Sequence, residues 1–182
     1  ATVISPAVQV RVKNAAGDRG EFYKSTNGGL TFSIRQTGWI GALGDAGGRL
    51  AVSVANPSRV YAVLLTNNGQ YLMRSFDAGE TWTTAASSPA STDGCGSEVF
   101  PMPLGQGYYD LSIAASQSDA NKLILGTTAS YRSNDSGATY VRLGQYCGAY
   151  RVHADIQDMK SIGGDTWIAS DGGIDRSSDF FT

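Results

Sequence analysis

The sequence has little histidine, no cluster of positive charge and no long apolar run, and each of these features would indicate a particular function. Only one of its 182 residues, His153, is a histidine, so a metal site built from several histidines is excluded. The 14 Lys and Arg residues are scattered and are outweighed by 16 Asp and Glu, so there is no basic stripe for nucleic acid. No apolar run approaches the ~20 residues that cross a bilayer as a helix. We therefore expect no nucleic-acid partner, no membrane span, no metal and no cofactor.

The sequence is instead rich in glycine, with 23 residues, and it repeats one eight-residue unit. Residues 25–32, 75–82 and 133–140 each place serine first, Asp or Asn third, glycine fifth, threonine seventh and an aromatic residue eighth. A fourth copy begins at Ser177 but has Phe181 in place of the glycine. We call these units boxes 1 to 4. Each follows a basic residue, and their spacing is typical of propeller blades or similar arrays.

Each position of the box has a physical reason. The third residue has a short side chain that accepts hydrogen bonds from backbone N–H groups about two residues later. The glycine supplies the positive φ of a tight turn, and threonine and the aromatic residue begin a new strand with a ring to bury. The box residues that we expect to be structural are Ser25, Asn27, Gly29, Ser75, Asp77, Gly79, Trp82, Ser133, Asp135, Gly137 and Tyr140.

These positions resemble the Asp box, or bacterial neuraminidase repeat, of sialidases, xyloglucanase-type glycosidases and sortilin (Vps10) propellers. The resemblance covers nearly the whole chain, and the stretches that begin at His153 and Trp167 are also similar to blades of the secreted bacterial members. It implies an all-β propeller segment of about four blades, each a four-stranded antiparallel sheet, in a larger propeller. It also implies that the box is a structural turn between the third and fourth strands, so Asp77 and Asp135 are not expected to be catalytic.

Apolar runs with strand periodicity and turn-forming residues between them divide the chain into one domain of four blades. The predicted blades are residues 1–37, 38–86, 87–144 and 145–182, the last of them incomplete.

A ligand site is expected on the face opposite the boxes, because the connections between blades lie on that face of a four-strand meander. The candidate ligand-binding residues there are Trp39, Tyr108, Tyr109, Tyr146, Tyr150, Arg151 and His153. Their rings and polar tips suit a glycan or a protein surface. The single histidine has no nucleophile motif of the Gly-x-Ser-x-Gly type to serve, so a catalytic triad is not expected.

Asp110 and Asp155 are the candidate catalytic residues, since both stand at the start of neighbouring inner strands near the central channel. A glycosidase needs two carboxyl groups ~5–10 Å apart, one of them protonated. The alternative, which we favour, is that they bind backbone N–H groups at the channel mouth, because structural networks perturb carboxylates as well.

The two cysteines, Cys95 and Cys147, lie in successive long connections and are a candidate disulfide, with two free thiols as the alternative. The resemblance implies a secreted or cell-surface protein, of bacterial type. The first residues have no charged leader followed by an apolar segment, so any export signal is expected to have been removed already. The expected partners besides a ligand are further blades of a larger chain or another subunit.

Two functions remain open from the sequence. The first is a non-catalytic module that recognises a glycan or a protein, or serves as a scaffold. The alternative is a fragment of a glycoside hydrolase, similar to xyloglucanases or sialidases, that uses Asp110 and Asp155.

Overall fold

The fold is known from a computed structural model, which describes residues 8–11, 19–40, 42–43, 48–66, 69–85, 109–144 and 151–182. These residues form strands and turns, and none of them is helical. The part of the chain that is described therefore includes no helix that would reach across a membrane. The strands form four antiparallel sheets in chain order, which is the all-β fold that the sequence predicts.

Each sheet is one blade of a propeller. Blade 1 contains β1 (Val8–Arg11), β2 (Arg19–Lys24), β3 (Ser33–Ile34) and β4 (Ala42–Leu43). Blade 2 contains β5 (Gly48–Ser53), β6 (Asn56–Thr66), β7 (Gly69–Ser75) and β8 (Thr83–Thr84). Blade 3 contains β9 (Ser112–Ala115), β10 (Leu123–Gly126), β11 (Ser130–Ser133) and β12 (Val141–Gly144). Blade 4 contains β13 (Ile156–Ile162), β14 (Asp165–Ser170) and β15 (Gly173–Ser177).

Strands pair with their neighbours in sequence within every blade, except in blade 1. There β4 pairs with β2 at Arg19 and Gly20, further along the same strand edge that β3 occupies. Blade 1 therefore extends at least to Leu43, beyond the boundary at residue 37 that the sequence indicates.

Three apolar cores lie between successive blades, and together they form the interior. The core between blades 1 and 2 contains Phe22, Trp39, Val60, Ala62, Leu64, Met73 and Trp82. The core between blades 2 and 3 contains Tyr61, Val63, Leu72, Leu111, Ile113, Leu123, Leu125 and Tyr131. The core between blades 3 and 4 contains Ala114, Ile124, Leu143, Ile156, Met159, Ile168, Phe180 and Phe181. Strands of blade 3 are buried on both faces because they contribute to two of these cores.

Each box is a turn whose side chains bind its own backbone. In box 2 the Ser75 hydroxyl donates to Asp77 Oδ1 at 2.7 Å and accepts the Gly79 N–H at 2.8 Å. Asp77 accepts the Thr81 N–H at 2.8 Å and the Thr81 hydroxyl at 2.5 Å. Box 3 makes the same bonds. Box 1 makes the same backbone bonds, but there the Asn27 side-chain N–H donates to the Thr31 hydroxyl oxygen at 2.8 Å, which reverses the direction of that bond. Boxes 2 and 3 join the third and fourth strands of their blades.

Box 4 forms the same turn although it lacks the glycine. The Phe181 N–H donates to the Ser177 hydroxyl at 2.7 Å, and that hydroxyl donates to Asp179 at 2.6 Å. Phe181 adopts a φ of 57°, a left-handed conformation that costs a residue with a Cβ about 1–2 kcal/mol. The packing around Phe181 must therefore offset this cost.

The size of a residue on the preceding blade explains why boxes 2 and 3 have glycine where box 4 has Phe181. A Cβ on Gly79 would lie 2.8 Å from Phe22, and one on Gly137 would lie 2.4 Å from Leu72. Phe22 and Leu72 each stand three residues before the serine of their own box. In blade 3 that position is Ser130, a much smaller residue. Phe181 is 5% exposed in the core between blades 3 and 4. At this junction between blades, which we call a seam, the large side chain therefore belongs to the box and the small one to the preceding blade.

The basic residue before a box connects its blade to the next box. Lys24 Nζ donates to Glu80 Oε1 in box 2 at 2.7 Å, and Arg74 Nη1 donates to the Ser136 carbonyl oxygen in box 3 at 2.9 Å. Arg132 Nη1 donates to the Phe181 carbonyl oxygen in box 4. We call these three residues the latches. The sequence pointed to the basic residues but not to their partners.

Candidate functional site

The face opposite the boxes is built where the inner strands of blades 3 and 4 begin. Asp110 comes just before β9, Asp155 just before β13, and Asp171 lies in the turn from β14 to β15. Asp155 is held in a left-handed conformation, with a φ of 60°, by two backbone bonds. Its N–H donates to the Thr128 carbonyl oxygen at 3.3 Å, and its carbonyl oxygen accepts the Asp171 N–H at 3.2 Å. The structure therefore brings the two predicted carboxyl groups to one place on this face.

Asp110 and Asp155, here called the carboxyl pair, are buried at the seam between blades 3 and 4. Asp110 is fully buried and Asp155 is 5% exposed. Asp110 Oδ2 and Asp155 Oδ1 are buried without a hydrogen-bond partner among the described residues, and the negative charge of Asp155 raises the pKa of Asp110. Two buried carboxyl groups that repel each other favour the state in which one of them carries a proton.

Burial is the main reason why the carboxyl pair holds this proton. It raises the pKa of Asp110 to about 6, with the negative charges of Asp155 and Asp171 adding to the rise. Burial, and then Asp171, raises the pKa of Asp155 as well. A bond from Gln157 Nε2 to Asp110 Oδ1, at 3.2 Å, acts in the opposite direction. Because Asp110 is the more deeply buried, we place the proton there.

The chemistry of the carboxyl pair is limited by its geometry. A glycosidase keeps its two carboxyl groups about 5–10 Å apart so that the glycosidic bond, or the bond and a water, fits between them. Both carboxyl groups of this pair are buried at the seam between blades 3 and 4, so a glycosidic bond has no access to them as the two blades stand.

Gln157 and Asp171 belong to the same cluster and were missed as site residues. Gln157 Nε2 donates to Asp110 Oδ1 and also to Asp171 Oδ1, at 3.0 Å, so it bridges blade 3 to the β14–β15 turn. The two-residue period of a strand could have indicated Gln157 as a site residue, because it follows Asp155 by two residues and so falls on the same side of the strand. Asp171 begins an Asp-Gly-Gly sequence, which indicates a turn and gives no sign of the contact with Gln157.

Two of the predicted ligand-binding residues are exposed beside the carboxyl pair. Tyr109 is adjacent to Asp110 in the chain and is 54% exposed. His153 is also exposed, and its Nδ1 lies 3.1 Å from the Ala154 carbonyl oxygen. The β14–β15 turn packs closely against it, because a Cβ on Gly172 would lie 2.3 Å from the His153 Cβ.

The prediction that Trp39 binds a ligand is wrong, because its ring is buried. It is 8% exposed, its indole N–H donates to the Gly20 carbonyl oxygen at 3.1 Å, and its ring centroid lies 4.8 Å from that of Trp82. The glycine-rich sequence around it suggested an exposed loop. The chain instead turns inward between β3 and β4 and places the ring in the core between blades 1 and 2.

Arg151 was predicted to join His153, and the structure places its side chain elsewhere. Arg151 Nη1 donates to the Thr182 carbonyl oxygen of box 4 at 3.0 Å. It therefore contributes to the box side of the molecule, next to Arg132, and not to the carboxyl pair. The other candidates, Tyr108, Tyr146, Tyr150, Cys95 and Cys147, lie outside the described residues.

Within the described ranges, no group of three or more His, Cys, Asp or Glu residues is arranged to hold a metal ion. A cavity of about 380 Å³ lies on the box side between blades 3 and 4, lined by residues that include Ser116, Lys122 and Asp179. The Ser116 hydroxyl is already used by the N–H groups of Ser118 and Asp119. This cavity is separate from the predicted site.

Comparison with known proteins gives a likeness of fold only. No protein-family model and no curated protein matches the chain. Among solved structures the chain is similar to YCF48 from Cyanidioschyzon merolae, with a TM-score of 0.50, 11% identity, and 97% of this chain and 55% of that chain covered. It is also similar to an ancestral GH74 enzyme, with a TM-score of 0.51, 15% identity, and 95% of this chain and 23% of that chain covered.

A third similar structure is YCF48 bound to D1 peptide, with a TM-score of 0.47, 14% identity, and 95% of this chain and 63% of that chain covered. The chain thus spans less than two thirds of each of these proteins. At such identities the likeness concerns the fold, and the two proteins matched with TM-scores of 0.50 and 0.51 are β-propellers. Together with the four sheets and their cores, this shows that the chain is a β-propeller segment of four successive blades.

Proposed function

We propose that this chain is a non-catalytic module of a secreted or surface β-propeller, and that it recognises a glycan or a protein on the face opposite the boxes. The observation that carries the proposal is the state of the carboxyl pair. The two groups that a hydrolase would use are both buried at the seam between two blades, where a substrate has no access to them. A face with this arrangement is suited to binding and not to bond cleavage.

The exposed groups around the pair supply the means of recognition. Tyr109 offers a ring that can stack on a sugar or pack against a peptide, with a hydroxyl that can donate and accept hydrogen bonds. His153 and Asp171 are exposed on the same face and add polar contacts of both kinds. The sequence predicts Tyr108 and Tyr150 on this face as well.

A binding experiment on an array of glycans, with xyloglucan oligosaccharides and sialylated glycans included, tests this function. We expect the Tyr109→Ala variant to bind the selected glycan at least tenfold more weakly, which corresponds to about 1.4 kcal/mol. Phe76→Ala is the matched control, because Phe76 is 49% exposed but belongs to box 2 on the other side. If alanine at Tyr108, Tyr109 and Tyr150 together leaves all glycan and protein binding intact, the proposal fails.

A glycoside hydrolase fragment is the second candidate, favoured by the raised pKa of Asp110, since a general acid needs a proton near neutral pH. The test is release of reducing ends from xyloglucan by the native chain and by the Asp110→Asn/Asp155→Asn double variant. Turnover that disappears in a folded double variant would establish the hydrolase and reject the first proposal. Turnover that is absent from both, or unchanged, removes the hydrolase.

We also infer that boxes 1 to 3 are Asp boxes of the neuraminidase-repeat type. Their shared serine, Asp or Asn, glycine and threonine bonds support this, as does the position of boxes 2 and 3 between third and fourth strands. From that assignment we also infer that the protein is secreted and that Cys95 forms a disulfide with Cys147. Mass spectrometry after alkylation, with and without prior reduction, tests the pairing, since a disulfide takes up no alkyl group until it is reduced.

A further inference from the structure

Box 1 differs from boxes 2 and 3 by one chemical group at its third position. It has the amide of Asn27 where they have the carboxylates of Asp77 and Asp135. Gly28 follows Asn27, and it has no side chain to hinder an approach of its backbone nitrogen to the Asn27 side chain. Asparagine followed by glycine is therefore the arrangement in which the side-chain amide is most easily lost.

Box 1 binds both polar atoms of the Asn27 amide. Oδ1 accepts the Thr31 N–H at 2.9 Å and the Ser25 hydroxyl at 3.0 Å, and Nδ2 donates to the Thr31 hydroxyl oxygen at 2.8 Å. Two donors on one carbonyl oxygen stabilise the negative charge that this oxygen acquires when a nucleophile adds to its carbon. The turn therefore activates the amide carbon, Cγ, of Asn27.

The same turn is better suited to a carboxylate than to an amide. In boxes 2 and 3 the threonine hydroxyl donates to the second carboxylate oxygen, at 2.5 Å from Thr81 to Asp77 and at 2.6 Å from Thr139 to Asp135. Slight burial acts to raise the pKa of Asp77, but the bonds from Thr81 and Ser75 lower it to about 2, so the turn stabilises the charged form. In box 1 the threonine bond runs in the reverse direction, and a carboxylate there would restore it.

The third position of a box is open to water even when another blade precedes it. Boxes 2 and 3 each follow a blade, and Asp77 and Asp135 are nevertheless exposed. Asn27 and Gly28 are exposed as well, and a Cβ on Gly28 would meet nothing within 4 Å. Access of water to Asn27 therefore does not depend on which blade stands before box 1.

We propose that Asn27 is a deamidation site and that box 1 converts it to aspartate in the folded protein. The Gly28 backbone nitrogen adds to Asn27 Cγ and gives up its proton. The Thr31 hydroxyl, which lies 2.8 Å from Nδ2, relays a proton to the amide nitrogen, and that nitrogen leaves as ammonia. The bond formed between Cγ and the Gly28 nitrogen closes a five-membered imide.

Water then opens the imide. It adds to Cγ, the bond from Cγ to the Gly28 nitrogen breaks, and this nitrogen takes back a proton, so one water is consumed for each ammonia released. Addition at Cγ is preferred to addition at the backbone carbonyl carbon, because the oxygen on Cγ is the one bound by Ser25 and Thr31. The product is therefore ordinary aspartate and not isoaspartate. This site lies on the box side and is independent of the proposed recognition function.

Peptide mapping of the 182-residue chain during incubation at pH 8 tests the proposal. Trypsin releases residues 25–35 as one peptide, because Lys24 and Arg35 flank it. We expect this peptide to become about one dalton heavier, since –OH replaces –NH2, and to co-elute with a synthetic aspartate peptide. Conversion should be faster in the folded chain than in urea, where Asn68, which also precedes a glycine, is the internal reference. An unchanged mass, faster conversion in urea or isoaspartate as the main product would overturn the proposal.

A pair of threonine variants tests the part that the box plays. Thr31→Val removes the hydroxyl beside Nδ2 but keeps the backbone donor, and it should slow the conversion by about threefold or more. Thr26→Val is the matched control, since Thr26 is exposed in the same turn and the bonds of Asn27 described above do not involve it. Equal rates for the two variants would show that the box does not promote the reaction.

The converted chain can be made directly as Asn27→Asp. We expect it to melt at a higher temperature than the Asn27 chain at pH 7, because the donors of the turn then bind a charge, as they do in box 2. Thermal unfolding of the two chains measures the difference. A lower melting temperature for Asn27→Asp would contradict the claim that box 1 favours the product.

Discussion

The seam between blades 2 and 3 and the seam between blades 3 and 4 solve one packing problem in opposite ways. In the first, Leu72 is large and Gly137 of box 3 has no side chain. In the second, the equivalent of Leu72 is the small Ser130, and box 4 has Phe181, which is buried in the core between blades 3 and 4. The glycine of a box is therefore required by the neighbouring blade as well as by the positive φ of its own turn.

The two seams also differ at the face opposite the boxes. The carboxyl pair is buried in the seam between blades 3 and 4, where burial and the charge of Asp155 raise the pKa of Asp110 to about 6. The stability of this seam should therefore depend on pH in a way that apolar packing between blades 2 and 3 does not.

The largest effect is expected from a side chain placed in the seam between blades 2 and 3. Gly137→Ala should destabilise the protein by about 3 kcal/mol or more, since the new Cβ would lie 2.4 Å from Leu72 at a φ of 83°. Gly28→Ala is the control: its φ is 70° but nothing lies within 4 Å, so only the backbone cost of about 1 kcal/mol should appear. Urea unfolding measures both. Equal losses would contradict the role given to Leu72.

The next effect concerns the carboxyl pair. Because the pKa of Asp110 is raised from 3.8 to about 6, the folded state gains stability below its ordinary value and loses it as the pH rises through about 6. Asp110→Asn keeps the shape of the side chain and removes its charge. We expect it to exceed the native chain in stability at pH 8 by on the order of 2 kcal/mol, with no difference below pH 4. Unfolding at a series of pH values checks this, and a pH-independent difference would contradict the raised pKa of Asp110.

An exchange of residues across the seam between blades 3 and 4 should give a smaller effect. Ser130→Leu should cost about 2 kcal/mol, because the larger side chain competes with Phe181 for one space. Adding Phe181→Gly recreates the arrangement of Leu72 and Gly137 and should recover more than 1 kcal/mol in a double-mutant cycle. Costs that simply add would show that the two positions do not share the space.

The smallest effect is expected from a latch. Lys24→Met removes the bond to Glu80 but keeps the aliphatic stem, and Glu80 retains Arg35 at 2.6 Å. The loss should be below about 1 kcal/mol and should shrink at high salt, since Glu80 is partly exposed. Thermal unfolding at low and high salt measures it. A larger loss that is insensitive to salt would mean that the lysine stem, and not its charge, supports the seam.

The sequence predicted well what depends on local chemistry. The positions of the boxes, most strands and the four-blade order follow from residues that bind or turn their own backbone, such as Ser75 and Asp77. The cores between blades could not be predicted in the same way, because they depend on contacts between residues far apart in the chain. Trp39 illustrates this, since its glycine-rich surroundings indicated a loop, and only the approach of Phe22 and Trp82 explains its burial.

The candidate site was predicted in part. The matched positions of Asp110 and Asp155 brought them together as expected, but the distance between them depends on how two blades meet and could not be obtained from the sequence. The same holds for the latches: a basic residue before each box was evident, whereas its partner lies on another blade.

Because the residues at each seam differ, one blade cannot simply replace another in an engineered propeller. Each blade carries two half-seams, one determined by the residue three positions before its box and the other by the fifth residue of that box. An engineer who inserts or deletes one blade keeps its fold but creates a new junction. A copy of blade 3 could be followed by blade 4, whereas a copy of blade 2 placed there would set Leu72 against Phe181. An engineered propeller should therefore keep the two residues that meet at each junction together, and not only the strands of one blade.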